Sequence, residues 1–277
     1  NQDLQCLFSD KNAPLPDFPD VIRKELSELT KHLFENTSQL SAVRRMANET
    51  LNQFYINFKE KNGCVCIFCG LEELPQNLDN VSFEDQWRGD NDHLLAKKHY
   101  PIFAVHPDNL VPTCHICNSK AKHDKDILRD QNNCRTVSFY PKTESAEELV
   151  KLELDTTDEF LPRVFFNYVS EDVATLAKLK TWNRIYKIKE RVNGKYASFI
   201  EKLDEDCTEN SVDAFIASLE SKKSKYYQLR KNKRERFWDW CLYKEFLARG
   251  DRNLMESIWH AIQAKKDDAN AALEFPI

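Results

Sequence analysis

The chain has 277 residues, 41% hydrophobic and 31% charged, which is ordinary for a soluble globular protein and allows one large domain or two smaller ones. No apolar run approaches the roughly 20 residues of a membrane-spanning helix, so membrane proteins are excluded. Only 5 glycines argue against a glycine-punctuated β-sandwich and for a mostly helical chain. The net charge of -5 is unusual for a nucleic-acid binder, which would need a local basic patch.

The cysteines and the N-terminal residues indicate the cellular compartment. The N-terminal segment Asn1–Leu4 lacks the basic and apolar regions of a signal peptide, so a cytoplasmic location is predicted. An odd number of cysteines, 9, makes a disulfide framework a poor interpretation. Five of them fall into two tight clusters, as metal ligands do. The isolated cysteines are predicted to be small buried hydrophobic residues: Cys6, Cys134, Cys207 and Cys241.

The first predicted segment, residues 1–60, is helical. Prolines between positions 14 and 19 discourage helix, so residues 1–17 are predicted to be irregular. Apolar residues at helical spacing predict a helix over 22–33 and a second one, capped by Ser38, that continues to Phe58. The two helices are expected to pack as a hairpin.

The helical periodicity stops in the second segment, residues 61–145, and returns in the third, residues 146–277. Strands are predicted at Leu110–Thr113, 135–140, Leu149–Leu154 and Arg163–Val169. One helix is expected to start near Asn118, and the chain from Ser170 onward is predicted to be helical. The predicted fold class is α+β and predominantly helical.

Two short cysteine pairs predict a zinc site. Their ligands are Cys66, Cys69, Cys114 and Cys117. Each Cys-x-x-Cys turn can direct two thiolates at one point, and four thiolates leave no open position, so the zinc would be structural. Cys64 is a substitute ligand and His115 a weaker one. The alternative is a set of free or redox-active thiols.

The residues between and after these pairs resemble the HNH endonucleases, also called ββα-metal nucleases. Their pattern begins with a Cys-x-x-Cys turn, called a knuckle. Asp-His, Asn-Leu-Val-Pro and Cys-x-x-Cys-Asn follow it in that order. This chain has its counterparts in that order: Cys66/Cys69, Asp92-His93, Asn109-Leu110-Val111-Pro112, and Cys114-x-x-Cys117-Asn118. The resemblance covers residues 64–123 and implies a ββα-metal core that is stabilised by the four-cysteine zinc site.

The resemblance implies roles for four residues in phosphodiester hydrolysis. His93 corresponds to the general base that activates water, a task that suits a neutral imidazole near neutral pH. Asp92 and Asn118 correspond to oxygen ligands of a catalytic Mg²⁺ or Mn²⁺. Asn109 corresponds to the middle asparagine, which fixes the loop and orients the histidine. Asp90 is the reserve metal ligand.

Two features depart from the family or stay open. The family often has a lysine three residues after the final asparagine, where this chain has Ala121 flanked by Lys120 and Lys122. A phosphate contact by either lysine is predicted without choosing between them. His123 is considered an extra metal or phosphate contact because it would lie early in the helix.

Basic residues in the third segment are predicted to hold nucleic acid. Aromatic residues such as Tyr226, Tyr227, Phe237 and Trp238 lie among them and could stack on bases. The alternative is a solvated helix face whose aromatic residues are core. The basic residues of this patch are Lys222, Lys223, Lys225, Arg230, Lys231, Lys233 and Arg234.

The sequence as a whole predicts a metal-dependent HNH endonuclease that hydrolyses DNA. The arrangement also resembles stand-alone HNH proteins of bacterial anti-phage defence or restriction, some of which act beside an ATPase, so a regulatory protein partner is an expectation. RNA cleavage is one alternative, because the site acts on the phosphodiester and does not read the sugar. A non-catalytic, zinc-stabilised module that binds nucleic acid or protein is the other.

Overall fold

A computed structural model describes residues 4–16, 18–32, 41–82, 85–89, 91–104, 106–155 and 163–274. About 53% of the chain is helical, and the strands form two antiparallel two-stranded sheets. Over the described ranges, no helix combines the length and the apolar character that crossing a bilayer requires. The mixed and largely helical fold class predicted from the sequence is confirmed at this level.

The elements follow in chain order. In the N-terminal half they are α1 (Leu4–Ser9), α2 (Asp20–His32), α3 (Ser41–Asn62), β1 (Asn91–His93), β2 (Leu110–Pro112) and a π-helix (Ile116–Lys122). In the C-terminal half they are β3 (Val150–Asp155), β4 (Arg163–Tyr168), α4 (Val173–Tyr186), α5 (Ile188–Lys195), α6 (Phe199–Asp206), α7 (Val212–Leu229), α8 (Arg236–Arg249) and α9 (Arg252–Glu274).

The chain forms two compact units. The first contains Asn1–Glu147, Ser170–Lys187 and Lys231–Arg234, and the second contains Glu148–Val169, Ile188–Arg230 and Glu235–Ile277. The first unit therefore takes α4 and a short loop from the C-terminal half of the chain. The division into segments 1–60, 61–145 and 146–277 stays a prediction.

The expectation that residues 1–17 are irregular is wrong, because α1 occupies Leu4–Ser9. Its side chains Leu4, Leu7 and Phe8 are buried at the helical spacing i, i+3, i+4. The prolines that discouraged a helix all lie after its last residue. The predicted second helix is present as α3, but its capping residue Ser38 lies outside the described residues. The helical hairpin stays a prediction, and α2 packs against the turn Pro101–Phe103.

The strand predicted at residues 135–140 does not form, because its backbone groups bond to other partners. The Ser138 amide donates to the Phe8 carbonyl at 2.9 Å, and the Thr136 amide donates to the Leu128 carbonyl at 2.8 Å. Arg135 also donates through its guanidinium to carbonyl groups at the end of α1, including Asp10 at 3.1 Å. The alternation of this segment reflects packing against α1 and not sheet pairing.

Helix α4 closes the first unit over the first cysteine knuckle. Asp172 caps its N-terminus by accepting from the Thr175 amide at 2.7 Å. The indole Nε1 of Trp182 donates to the Phe68 carbonyl at 2.8 Å, and the rings of Phe68 and Tyr186 stack at 4.5 Å. Trp182 and Tyr186 thus hold the knuckle residue Phe68 from one helix face.

The second unit is built on a hairpin of β3 and β4. The strands pair from Val150 opposite Tyr168 to Asp155 opposite Arg163, which confirms both predicted strands. Alternate residues such as Leu152, Leu154 and Phe166 are buried, as a hairpin with one covered face requires. Phe166 packs against Trp238 of α8 with ring centroids 5.7 Å apart.

The isolated cysteines differ from one another in burial. Cys207 and Cys241 are buried, as expected for small hydrophobic residues. Cys6 and Cys134 are exposed, so the expectation is wrong for them. Cys6 lies on the outer side of α1, which buries Leu4, Leu7 and Phe8 instead.

Candidate metal centre and catalytic site

Four buried cysteines converge on one point in the first unit. The sulfur atoms of Cys66, Cys69, Cys114 and Cys117 all lie within 4.8 Å of one another. The sulfurs of Cys69 and Cys114, from different knuckles, are 3.9 Å apart. Cys64 is half-buried, His115 is exposed, and neither belongs to this cluster. The structure thus selects the predicted set and leaves out both substitutes.

The backbone of each knuckle is arranged around its sulfurs. The Leu71 amide donates to the Cys69 sulfur at 3.4 Å, and the Cys117 amide donates to the Cys114 sulfur at 3.4 Å. The Gly70 amide donates to the Cys66 carbonyl at 2.9 Å, and Gly70 has a φ of 64°, which favours glycine. The amides of Leu71 and Cys117 point at sulfur, which suits a thiolate better than a thiol.

The chemistry of this donor set fits structural zinc. Burial raises the pKa of the Cys66 thiol because the charged form loses its hydration. Four thiolates crowded into a dry site would repel one another, and a divalent cation removes that cost. Four sulfur ligands at one point match tetrahedral zinc and leave no position for substrate. The cluster is therefore compatible with a structural zinc ion.

Two of the predicted catalytic-site residues, Asp92 and His93, lie on a short antiparallel ribbon. Asp92 of β1 pairs with Val111 of β2, and His93 pairs with Leu110. Asp92 is buried and its neighbours in β1 are half-buried, as expected when successive side chains point to opposite faces. Asp90, the reserve ligand, lies outside the described residues.

The imidazole of His93 is fixed by one backbone carbonyl. Its Nε2 lies 2.8 Å from the Ala104 carbonyl oxygen. A carbonyl only accepts, so Nε2 must carry the proton and Nδ1 keeps a lone pair. Burial lowers the pKa of His93, since the imidazolium form would lose hydration. The ring is therefore held as a neutral base whose basic atom is Nδ1.

Asn109 joins the two ends of the loop that carries Ala104. Its side-chain oxygen accepts from the Leu95 amide at 2.7 Å. Its side-chain nitrogen donates to the carbonyls of Leu95 at 3.1 Å and Phe103 at 2.9 Å. Asn109 is fully buried and thus fixes the residue that precedes Ala104. These bonds are the geometry that a loop-fixing asparagine needs.

Asp92 forms a buried ion pair that the sequence did not reveal. The ammonium group of Lys122, at the end of the π-helix, lies 2.8 Å from Asp92 Oδ1 and 2.7 Å from the His93 carbonyl oxygen. Burial raises the pKa of the Asp92 carboxyl, and the Lys122 ammonium opposes that shift. The other oxygen, Oδ2, is buried and has no hydrogen-bond partner among the described residues.

The expectation that Lys122 contacts phosphate does not fit this arrangement, because its side chain is 1% exposed and committed to Asp92. Lys120 is exposed and remains accessible.

Asn118 is half-buried on the same π-helix. Its carbonyl accepts from the His123 amide at 2.8 Å, which is the i→i+5 bond of a π-turn. His123 does not lie early in the helix, as was expected. It ends the helix with a φ of 51°.

The π-helix explains why the lysine stands four residues after Asn118 and not three. The sequence has Ala121 at the expected position, one residue before Lys122. A π-turn holds more residues than an α-turn, so the residue four after Asn118 can face the same side as Asn118. The wider turn thus brings Lys122 to Asp92, and Ala121 is buried instead.

Replacing Lys122 with methionine is expected to lower the free energy of unfolding by about 3–5 kcal/mol, because Asp92 would be left as an uncompensated buried charge. Lys120→Met on the same π-helix is the control, and its exposed side chain predicts a change within about 0.5 kcal/mol. Urea unfolding of both variants measures the difference. Equal stability of the two variants would contradict the ion pair.

The predicted basic patch is divided between the two units. Arg230 and the α7 lysines belong to the second unit, and Lys231, Lys233 and Arg234 belong to the first. The Lys231 carbonyl accepts from the Val65 amide at 3.0 Å, so this loop is held by its backbone.

The α7 lysines of the patch are partly neutralised. Lys222 lies 3.6 Å from Glu209, and Lys223 lies 2.6 Å from Glu220. Lys225 is exposed. Of the aromatic residues that could stack on bases, Tyr226 and Trp238 are buried. Tyr226 and Trp238 are therefore core residues, as the alternative interpretation of the patch expected.

Part of the chain is similar to a phage protein. The chain is 29% identical over 118 residues to protein ea31 of Escherichia phage lambda, a match that covers 43% of this chain and 33% of the phage protein. No family model matches the chain. No solved structure matches it significantly.

Proposed function

We propose that the first unit is a metal-dependent endonuclease of the HNH type that hydrolyses phosphodiester bonds of DNA. The observation that carries the proposal is the state of His93, a half-buried neutral imidazole whose Nε2–H donates to the Ala104 carbonyl, 2.8 Å away. A histidine held in one tautomer by a backbone acceptor is prepared to take a proton at Nδ1. Asn109 supports that acceptor by fixing the neighbouring Phe103 carbonyl.

The chain's own residues account for the proton transfer. Nδ1 of His93 takes a proton from the attacking water as its oxygen bonds to phosphorus. The bond between phosphorus and the leaving oxygen then breaks, and that oxygen is protonated from solvent. Water is the nucleophile, so the reaction makes no use of a 2′-hydroxyl and DNA is a competent substrate. RNA contains the same bond and is the alternative substrate.

The oxygen atoms near His93 fit a hard divalent cation. Asp92 Oδ2 is a buried carboxylate oxygen without a hydrogen-bond partner among the described residues, and such an oxygen is costly unless a cation or donor satisfies it. Asn118, whose amide oxygen would be the second ligand, lies on the π-helix that supplies Lys122 to Asp92. When bound, Mg²⁺ or Mn²⁺ would supply Lewis-acid stabilisation of the phosphate.

A second candidate function is a non-catalytic, zinc-stabilised binding module. The Lys122–Asp92 pair favours it, because an ammonium group can balance the charge of the carboxylate without any metal ion. The expected roles in anti-phage defence or restriction, a cytoplasmic location and an ATPase partner stay predictions.

Metal binding distinguishes the two candidates. Calorimetric titration of the zinc-loaded protein with Mn²⁺ is expected to show one further site, and Asn118→Ala is expected to weaken it at least tenfold by removing one oxygen ligand. Asn118 is half-buried, and alanine suits a helix, so the variant is expected to fold.

The matched control is Ser119→Ala, the next residue on the π-helix, which is expected to bind Mn²⁺ as the wild type does. If the wild type binds no Mn²⁺ and cleaves neither DNA nor RNA, the binding module is the better account.

A further inference from the structure

We propose that α7 and α8 of the second unit carry a stacking platform for single-stranded nucleic acid, centred on Tyr227 and Trp240. The platform is defined as Tyr227, Arg230, Phe237, Trp240 and Lys244. All five residues belong to the second unit. The inference does not depend on the nuclease proposed for the first unit.

Helical spacing places these residues on two facing stripes. Tyr227 and Arg230 are three residues apart at the end of α7, and Phe237, Trp240 and Lys244 follow the i, i+3, i+7 pattern of one α8 face. The stripes meet where the rings of Tyr227 and Trp240 lie 5.2 Å apart. Phe237 continues the row at 5.8 Å from Trp240. The result is a continuous row of three aromatic rings.

The rings lie at the surface, unlike their sequence neighbours. Tyr226 and Trp238 are 4% and 1% exposed and belong to the core of the unit. Tyr227 is 41% exposed, and Phe237 and Trp240 are half-buried. Tyrosine and tryptophan lose little entropy on contact and present a flat face, so rings left at the surface suit stacking.

Two of the three rings, Tyr227 at one end and Trp240 in the middle, carry a cation. The Arg230 guanidinium carbon lies 3.8 Å from the Tyr227 ring centroid, and the Lys244 ammonium lies 4.9 Å from that of Trp240. Cation–π contacts at a surface stabilise a fold only weakly, which is a weak reason to keep three rings at the surface. They also hold two positive charges beside flat apolar faces.

The acidic residues along these helices are already paired. Glu220 bonds to Lys223, Glu245 bonds to Arg249, and Asp239 is buried against Arg236 and Lys202. The surface around the platform is therefore left with a net positive charge. A partner that offers both negative charge and flat aromatic faces complements it.

Single-stranded nucleic acid is the partner with that chemistry. Its phosphates pair with cations, and its unstacked bases expose the faces on which tyrosine and tryptophan stack. In a duplex those faces are covered by neighbouring base pairs. Nothing in the platform reads base edges, so weak dependence on sequence is expected.

The test measures binding of fluorescein-labelled dT20 to the full chain by anisotropy, without added divalent metal, so hydrolysis plays no part. Tyr227→Leu and Trp240→Leu are each expected to weaken binding about tenfold, the loss of one stacked base. Tyr227→Phe and Trp240→Phe keep a flat ring and are expected to bind within about threefold of the wild type. Thermal unfolding verifies that each variant folds.

The charge is tested separately. Lys244→Gln is expected to weaken dT20 binding and to reduce its dependence on salt concentration, whereas Lys24→Gln, an exposed lysine of α2, is expected to change neither. Lys244 is exposed, so this variant folds even if a leucine variant does not. Binding of rU20 at equal strength supports the platform as one for single strands of either sugar.

Two results would overturn the platform. One is leucine variants that fold and bind dT20 as the wild type does. The other is a 20-base-pair duplex that binds as tightly as dT20 and is equally indifferent to the aromatic substitutions. Inactivity of the first unit as a nuclease would leave both measurements unchanged.

Discussion

Replacing Cys117 with serine is expected to abolish folding of the first unit. Structural zinc contributes an apparent binding free energy of about 10–16 kcal/mol near neutral pH, which is comparable with the whole stability of a typical domain, about 5–15 kcal/mol. Serine offers a harder and weaker ligand at a site that is completely buried. We expect loss of the bound zinc by elemental analysis and loss of the cooperative thermal transition of this unit by circular dichroism.

Two other cysteines provide matched controls for this substitution. Cys6→Ser and Cys64→Ser remove sulfurs that lie outside the cluster, so both variants are expected to keep the wild-type amount of zinc. Removing zinc from the wild type with a chelator is expected to reproduce the Cys117→Ser result. A Cys117→Ser protein that keeps both its zinc and its transition would show that the four sulfurs do not form the site.

The second large effect is expected at His93. His93→Ala removes the proposed base and is expected to lower the rate of phosphodiester cleavage by about 10²- to 10⁴-fold, the usual contribution of a general base. His93→Gln is the sharper variant, because its amide can still donate to the Ala104 carbonyl but cannot accept the proton from water. Rates of plasmid nicking with Mg²⁺ measure both variants.

His99→Ala is the matched control for the histidine substitution. His99 is exposed and its Nε2 lies 3.0 Å from the Asp124 carbonyl oxygen, so it resembles His93 in having a backbone partner but does not lie on β1. The control is expected to cleave at the wild-type rate. A His93→Gln variant with wild-type activity would mean that the base is another group.

The cysteine cluster and three of the four described strands could be predicted from the sequence because the residue patterns that specify them are local. A Cys-x-x-Cys turn has few geometries, and two of them in one unit converge naturally on one cation. The strand at Leu110–Pro112 and the hairpin of β3 and β4 follow from short apolar patterns. The sequence predicted no strand at Asp92 and His93, which occupy adjacent positions in β1.

The partners of the site residues could not be predicted, because they depend on backbone geometry far along the chain. The bond from His93 to Ala104 is made to a carbonyl, which any residue carries. The contact between Lys122 and Asp92 depends on a π-turn, and no residue pattern in the sequence distinguished this turn from an α-turn. The prolines that follow α1 discourage a helix, and they obscure the helical spacing of Leu4, Leu7 and Phe8.

The aromatic platform could be recognised in part. The sequence placed Tyr227 and Phe237 among basic residues, but it could not distinguish these surface rings from buried Tyr226 and Trp238, which are their direct neighbours. Trp240 was not singled out, although its spacing from Phe237 and Lys244 marks one face of α8. Burial of one helix face against another decides which ring remains outside.

The hydrolytic role of His93 is tested by comparing cleavage of supercoiled plasmid DNA and of a long RNA by zinc-loaded wild-type protein, with and without added Mg²⁺ or Mn²⁺. The proposed site predicts nicking of DNA that requires the added cation and is lost in His93→Gln. Absence of cleavage of either nucleic acid under all these conditions, or cleavage that is equal in His93→Gln, would contradict a hydrolytic role for His93.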